Sequence, residues 1–135
     1  MKTILVGTDF TDLSEKALTM ALELARGVGA RVQLLHVVEP IGDPDEDPEA
    51  AAFHTELEEK ARGRLSEILA RVKDVAADGS VVLGHRSTAL LQEAERQDVY
   101  LTVLGLRVPR EDAHPVPGIS HRVSWNSPRP VLLVP

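Results

Sequence analysis

The chain has 135 residues, of which 43% are hydrophobic and 27% are charged, a balance typical of one globular domain. It has no cysteine, which excludes disulfides, thiolate metal sites and a thiol nucleophile, and its net charge of −6 argues against nucleic acid and anionic membranes as partners. No apolar run approaches the roughly 20 residues that span a bilayer, and the start MKTILVGTDF is too polar for a signal peptide, so we expect a single cytoplasmic domain over residues 1–135.

Five short, Val- and Leu-rich segments predict β-strands. They are TILVG (3–7), RVQLLHVV (31–38), SVVLG (80–84), YLTVLG (100–105) and PVLLV (130–134). Gly, Pro or charged residues bound each segment, and near-continuous apolar runs are typical of strands that are covered on both faces.

Helical periodicity fills the gaps between the strands. The apolar residues of 14–28 recur on one face, Asp12 followed by Glu15 resembles a capping box, and Gly27 and Gly29 are candidate ends. The second helix is predicted over about 49–73, the third from Ser87 or Thr88, and a short fourth over about 119–126.

The alternation predicts an α/β fold with a doubly wound, five-stranded parallel sheet and helices on both faces. Right-handed crossovers give the strand order 3-2-1-4-5. The chain then changes direction between strands 1 and 4, and ligands of such sheets bind in the crevice at that switch point. The segments there are GTDFTD (7–12) and GLRVPREDAHPVPG (105–118).

The residues at the switch point leave several chemistries open and exclude others. Asp9 fits either a ligand contact or a turn and helix-cap role beside Thr11 and Asp12. A phosphoacceptor receiver would need an Asp after strand 3 and a Lys after strand 5, a flavin site would need aromatic rings, and a dinucleotide fold would need GxGxxG. The Asp, the Lys and the GxGxxG motif are missing, and aromatic residues make up only 3% of the chain, which makes a flavin site unfavourable.

No metal or hydrolase site is predicted. Asp43, Asp45 and Asp47 have the spacing of a calcium loop, but Pro48 stands where the turn needs Gly, so a solvated loop is favoured. The five histidines show no ligand spacing; His36 is predicted to pack within strand 2. Trp125 is predicted to be a core or interface residue.

The stretches ILVGTDFTDLSEKALTMALELA, GARVQLLHVVEP and SPRPVLLVP resemble the universal stress protein family over nearly the whole chain. The resemblance implies a Rossmann-like fold of the type found in the adenine nucleotide alpha hydrolases. It implies a cytoplasmic stress-response protein, a homodimer formed through the last strand (Val131, Leu132, Leu133 and Val134), and ATP or another adenine nucleotide, with Mg²⁺, as cofactor.

In ATP-binding members, an acidic residue after strand 1 contacts the ribose, and the residue after the strand-2 histidine lines the adenine pocket. A loop wraps the phosphates; its pattern is G-x-x-G, then nine residues, then G-[S/T]. Asp9 and Val37 match the first two positions. The candidate site assigned by this resemblance consists of Gly7, Thr8, Asp9, Val37, Leu104, Gly105, Arg107, Gly118, Ile119 and Ser120. No catalytic residue is assigned.

The phosphate loop departs from that pattern. Gly105 matches the first glycine, but Val108 replaces the second and Gly118-Ile119 lacks the hydroxyl. Prolines restrict the backbone and remove N–H donors, and Glu111 and Asp112 repel phosphate, with partial compensation from the loop's arginines. We therefore expect a non-catalytic regulatory protein with weak or absent ATP binding; the alternative is an ATP-binding, slowly hydrolysing switch.

Overall fold

A computed structural model gives the fold and describes residues 1–107 and 118–135. Its nine elements follow the predicted alternation of strands and helices. They are β1 (Thr3–Gly7), α1 (Asp12–Val28), β2 (Arg31–Val38), α2 (Pro48–Ala70), β3 (Ala77–Leu83), α3 (Arg86–Ala94), β4 (Val99–Gly105), α4 (Ile119–Asn126) and β5 (Val131–Val134).

The five strands form one parallel sheet in the order β3-β2-β1-β4-β5, which confirms the predicted topology. The central strand β1 pairs with β2 on one side and β4 on the other, so that Val6 lies opposite both Leu34 and Val103. The carboxyl ends of β1 and β4 therefore lie side by side at the reversal in strand order, where this architecture binds ligands.

Alternate side chains along each strand point to opposite faces of the sheet and contribute to two core layers, one on each face. Ile4 and Val6 point to the layer that holds the alanine face of α1 and Leu65 of α2. Leu5 points the other way, to the layer completed by α3 and by Val123 of α4. Each helix thus buries one apolar stripe against the sheet.

Local differences from the predictions lie at the ends of elements. The N-cap of α1 is Thr11, whose hydroxyl accepts a hydrogen bond from the Ser14 amide, and Asp12 is already helical. Gly29 ends the helix in the left-handed region with φ of 71°, which glycine adopts without strain. The helix α2 stops at Ala70, and β3 begins at Ala77, three residues before the predicted strand.

Of the two positions predicted for Trp125, the core is wrong and the interface stays a prediction. Its side chain is 79% exposed and its ring stacks on His121 with a centroid distance of 5.3 Å. Among the described residues, no helix has the length and apolar character needed to cross a membrane.

Candidate functional site

The structure brings the carboxyl ends of β1 and β4 into direct contact at the predicted position. A Cβ placed on Gly7 would lie 2.7 Å from Cδ2 of Leu104 and 3.1 Å from Cδ2 of Leu90. An added side chain at position 7 would therefore displace the side chains of Leu104 and Leu90. Gly7 thus allows the side chains of Leu104 and Leu90 to pack directly against the backbone at the end of β1.

Asp9 lies in that turn and is held by the start of α1. Its Oδ1 accepts hydrogen bonds from the Thr11 amide at 3.1 Å, from the Thr11 hydroxyl at 2.5 Å and from the Ser14 hydroxyl at 2.5 Å. The Asp9 amide donates in turn to Ser14 Oγ at 3.0 Å. These bonds are the turn and cap role that the sequence left open for Asp9.

The same bonds determine the charge and the orientation of the carboxylate. Partial burial raises the pKa of Asp9, but the hydrogen bonds from Ser14 and Thr11 outweigh that effect and hold the pKa below its usual value. Asp9 is therefore ionised at neutral pH. Its Oδ2 accepts no hydrogen bond from the described residues, so this oxygen is oriented yet free to accept one from a ligand.

Gly105 ends β4 in a second close contact, with the backbone of α1. A Cβ there would lie 2.8 Å from the carbonyl oxygen of Leu13, 2.9 Å from its carbonyl carbon and 2.9 Å from its Cβ. The first glycine of the predicted phosphate loop is thus needed for the packing of β4 on α1. Arg107, two residues on, is exposed.

The start of α4 supplies the other predicted residues. Gly118 is the N-cap and makes no side-chain cap, and a Cβ there would meet no atom of the described residues within 4 Å. Ile119 packs against the core layer that contains Val37 and Leu104, so these three predicted residues share one face of the sheet. Ser120 is half-buried. The loop departures at 108–117 lie outside the described residues.

The model of the universal stress protein family matches residues 1–135. The chain belongs to the universal stress protein family. A curated relative, "Universal stress protein in QAH/OAS sulfhydrylase 3'region" from Thermus aquaticus, is 31% identical over 137 residues, which cover 98% of this chain and 98% of the relative.

Solved structures of other universal stress proteins share the fold. UspA from Lactobacillus plantarum superimposes with a TM-score of 0.77 at 20% identity, over 99% of this chain and 97% of that one. The universal stress protein from Archaeoglobus fulgidus in complex with dAMP gives a TM-score of 0.68 at 19% identity, over 100% of this chain and 98% of that one.

Three residues of this universal stress protein, Phe10, His36 and Ser14, support the Asp9 turn but were not predicted as site residues. Phe10 has a φ of 64°, unusual for a bulky residue, and its ring lies 4.4 Å from the His36 ring. The His36 Nδ1–H donates to the Thr8 carbonyl at 2.8 Å. Ser14 is the third; its only sequence signal is a hydroxyl five residues after Asp9, which is too common to single out.

His36 is half-buried, as its place in strand 2 predicted. Burial lowers the pKa of His36 below its usual value, and the positive charges of Arg86 and Arg64 act in the same direction, against the opposing effect of the Thr8 carbonyl. The ring is therefore neutral at pH 7 and acts as a fixed donor that anchors the turn. No group of three or more metal-ligating side chains occurs among residues 1–107 and 118–135.

Proposed function

We propose that this universal stress protein is a non-catalytic regulatory protein of the stress response that binds ATP more weakly than about 1 µM. The observation that carries the proposal is the state of Asp9. Its Oδ1 is saturated by Thr11 and Ser14, which leaves one oriented oxygen for a ribose hydroxyl. Such a contact positions a nucleoside and does nothing to polarise a phosphate.

The phosphate side offers less than the ribose side. In sequence, Val108 stands in place of a glycine, and Pro109, Pro115 and Pro117 remove three backbone donors from the loop. Affinity for ATP depends on several N–H groups gathered around the triphosphate, because each charged phosphate oxygen otherwise loses its hydration without replacement. We therefore expect ATP, ADP and AMP to bind with similar, low affinity.

A second candidate function, an ATP-binding switch with slow hydrolysis, is favoured by two observations. Among residues 1–107 and 118–135, no side chain caps the N-terminus of α4 and no atom lies within 4 Å of a Cβ placed on Gly118, which leaves the amide groups of α4 available to an anion on that side. The relative from Archaeoglobus fulgidus was solved with an adenine nucleotide. In this function the phosphates add affinity, so ATP binds much more tightly than AMP.

Calorimetric titration with ATP, ADP and AMP, with and without Mg²⁺, separates the two functions. We expect weak binding of all three, no dependence on Mg²⁺, and no release of phosphate from ATP. An ATP affinity tighter than about 1 µM, roughly −8 kcal/mol, contradicts the first function and supports the second.

Two aspartates three residues apart give a matched pair of variants that locate the binding. Asp9→Ala removes the oriented carboxylate, whereas Asp12→Ala removes the same charge from an exposed position in the first turn of α1. We expect Asp9→Ala to abolish the residual nucleotide binding and Asp12→Ala to preserve it. Equal losses in both variants would mean that charge alone, and not the Asp9 turn, is responsible.

We also propose that the protein is a homodimer paired through β5. The strand is the edge of the sheet, and its four residues Val131–Val134 are apolar yet only partly buried. An apolar edge with unpaired backbone groups is a liability that a twofold partner strand covers. Sedimentation at tens of micromolar should give the dimer mass, and Leu133→Lys should shift it towards the monomer; a monomeric wild-type protein refutes the proposal.

A further inference from the structure

A cavity of about 160 Å³ opens between α1 and α2 and touches the predicted nucleotide site only at Thr8. Its wall includes Leu34, which belongs to the core layer beneath α1 and α2. Val37 and Leu104 of the nucleotide prediction belong to the layer on the opposite face of the sheet. The cavity is therefore separated from that part of the predicted site by the sheet itself.

Four apolar residues line the cavity beside Thr8 and Ser14, which carry hydroxyl groups. Leu18, Leu34 and Ile68 line it together with Phe10, whose ring is fixed by the His36 ring at 4.4 Å. An engineered apolar cavity of about 150 Å³ binds benzene, so a space of this size takes a compact apolar group of about six heavy atoms. A branched aliphatic or small aromatic body fits these walls.

Four charged side chains complete the lining, two of each sign: Glu15, Arg64, Glu67 and Arg71. The salt bridges formed within residues 1–107 and 118–135 all involve other side chains, so the four charges have no ion-pair partner among the described residues. The guanidinium carbon of Arg64 lies 4.3 Å from the centroid of the Phe10 ring. A cation–π contact fixes Arg64 but uses none of its five N–H donors.

We propose that this cavity binds a small zwitterion with an aliphatic or aromatic body, such as a free apolar amino acid. The body lies against Leu18 and Ile68, the carboxylate accepts hydrogen bonds from Arg64 and Arg71, and the ammonium group faces a glutamate. A planar guanidinium suits a carboxylate because it donates two parallel hydrogen bonds. The proposal does not depend on nucleotide binding at Asp9.

Three probes that share one isobutyl body separate the contributions of the two charges. Leucine carries both charges, 4-methylpentanoate carries only the carboxylate, and 3-methylbutylamine carries only the ammonium group. Each is titrated into the ¹⁵N-labelled full chain and followed by amide chemical shifts. We expect leucine to give saturable shifts within residues 8–18 and 64–71, with an affinity about tenfold higher than either singly charged probe.

Substitutions on α2 and at its C-cap, Arg71, test the assignment of the charges. Arg71→Gln and Glu67→Gln should each weaken leucine binding by about fivefold or more, because each removes one charged partner of the zwitterion. Arg62→Gln is the matched control: it removes an exposed arginine from the same helix that pairs with Glu58 and does not line the cavity. All three residues are exposed, so the variants should fold, which the amide spectra report directly.

Each remaining outcome overturns the proposal. The absence of saturable shifts with leucine at millimolar concentration means that the cavity holds only water. Equal affinity for leucine and 4-methylpentanoate means that the ligand class is an anion and not a zwitterion. Shifts confined to residues outside the two stretches place the binding elsewhere on the protein.

Discussion

Replacement of Gly105 by alanine tests the contact on which the switch point depends. The added Cβ would lie 2.8–2.9 Å from three atoms of Leu13, two of them backbone atoms that cannot rotate away. Ordinary contacts of this kind are 3.4–4 Å, so the end of β4 and the start of α1 must separate by several tenths of an ångström.

The expected cost follows from that geometry. Overpacking of this kind lowers the free energy of unfolding by about 1–3 kcal/mol. Alanine also lowers the conformational entropy of the unfolded chain, which offsets about 0.4–1 kcal/mol of that loss. The strain is hard to relieve, because the Leu106 amide donates to the Val134 carbonyl at 2.7 Å and ties β4 to β5. We therefore expect Gly105→Ala to lose about 1–2 kcal/mol of unfolding free energy.

Urea denaturation followed by circular dichroism measures this change as a lower midpoint with an unchanged slope. Gly63→Ala is the matched control, because Gly63 lies within α2 and a Cβ there meets no described atom within 4 Å. Alanine in an exposed helix interior should stabilise the protein by about 0.5–1 kcal/mol. A Gly105→Ala protein as stable as the wild type, or the same sign of effect for both variants, would refute the reasoning.

Two further predictions concern ionisation. The hydrogen bond from the Thr3 hydroxyl at 2.7 Å, aided by Arg31 at 3.0 Å, lowers the pKa of Asp98 to about 2. The pKa of Asp98 in the folded protein lies below its unfolded-state value of 3.8. The ionised carboxylate therefore stabilises the fold fully above pH 4, and this contribution to the free energy of unfolding is lost as the pH falls towards 2. Asp98→Asn should therefore cost about 1–2 kcal/mol at pH 7, and urea denaturation should show this difference shrinking towards pH 2; a constant difference contradicts the assignment. Ser14→Ala removes the strongest of the hydrogen bonds that lower the pKa of Asp9, so NMR titration of the Asp9 carboxyl should show that pKa rise towards its usual value, and an unchanged pKa would contradict this role.

The strands, the helices and their order in the sheet followed from the sequence because they depend on local patterns. Apolar runs, helical periodicity and the helix end at Gly29 each depend on residues that are close in sequence. Because crossovers between parallel strands are right-handed, the alternation of strands and helices then allows one strand order. The start of β3 did not follow, because ADG has no strand propensity. Those residues are extended since Ala77 pairs with Val32, a partner 45 positions away in the chain.

The candidate site divides in the same way. Asp9 could be singled out because it directly follows a strand that lies at the switch point, and the resemblance supplied the remaining members. The sequence could not show that Gly105 is required by the backbone of Leu13, that Thr3 and Asp98 share a hydrogen bond across 95 positions, or that four charges of α1 and α2 surround one cavity. Periodicity encodes which face of an element is buried, whereas these contacts depend on which two elements meet, and only the packed sheet and helices determine that.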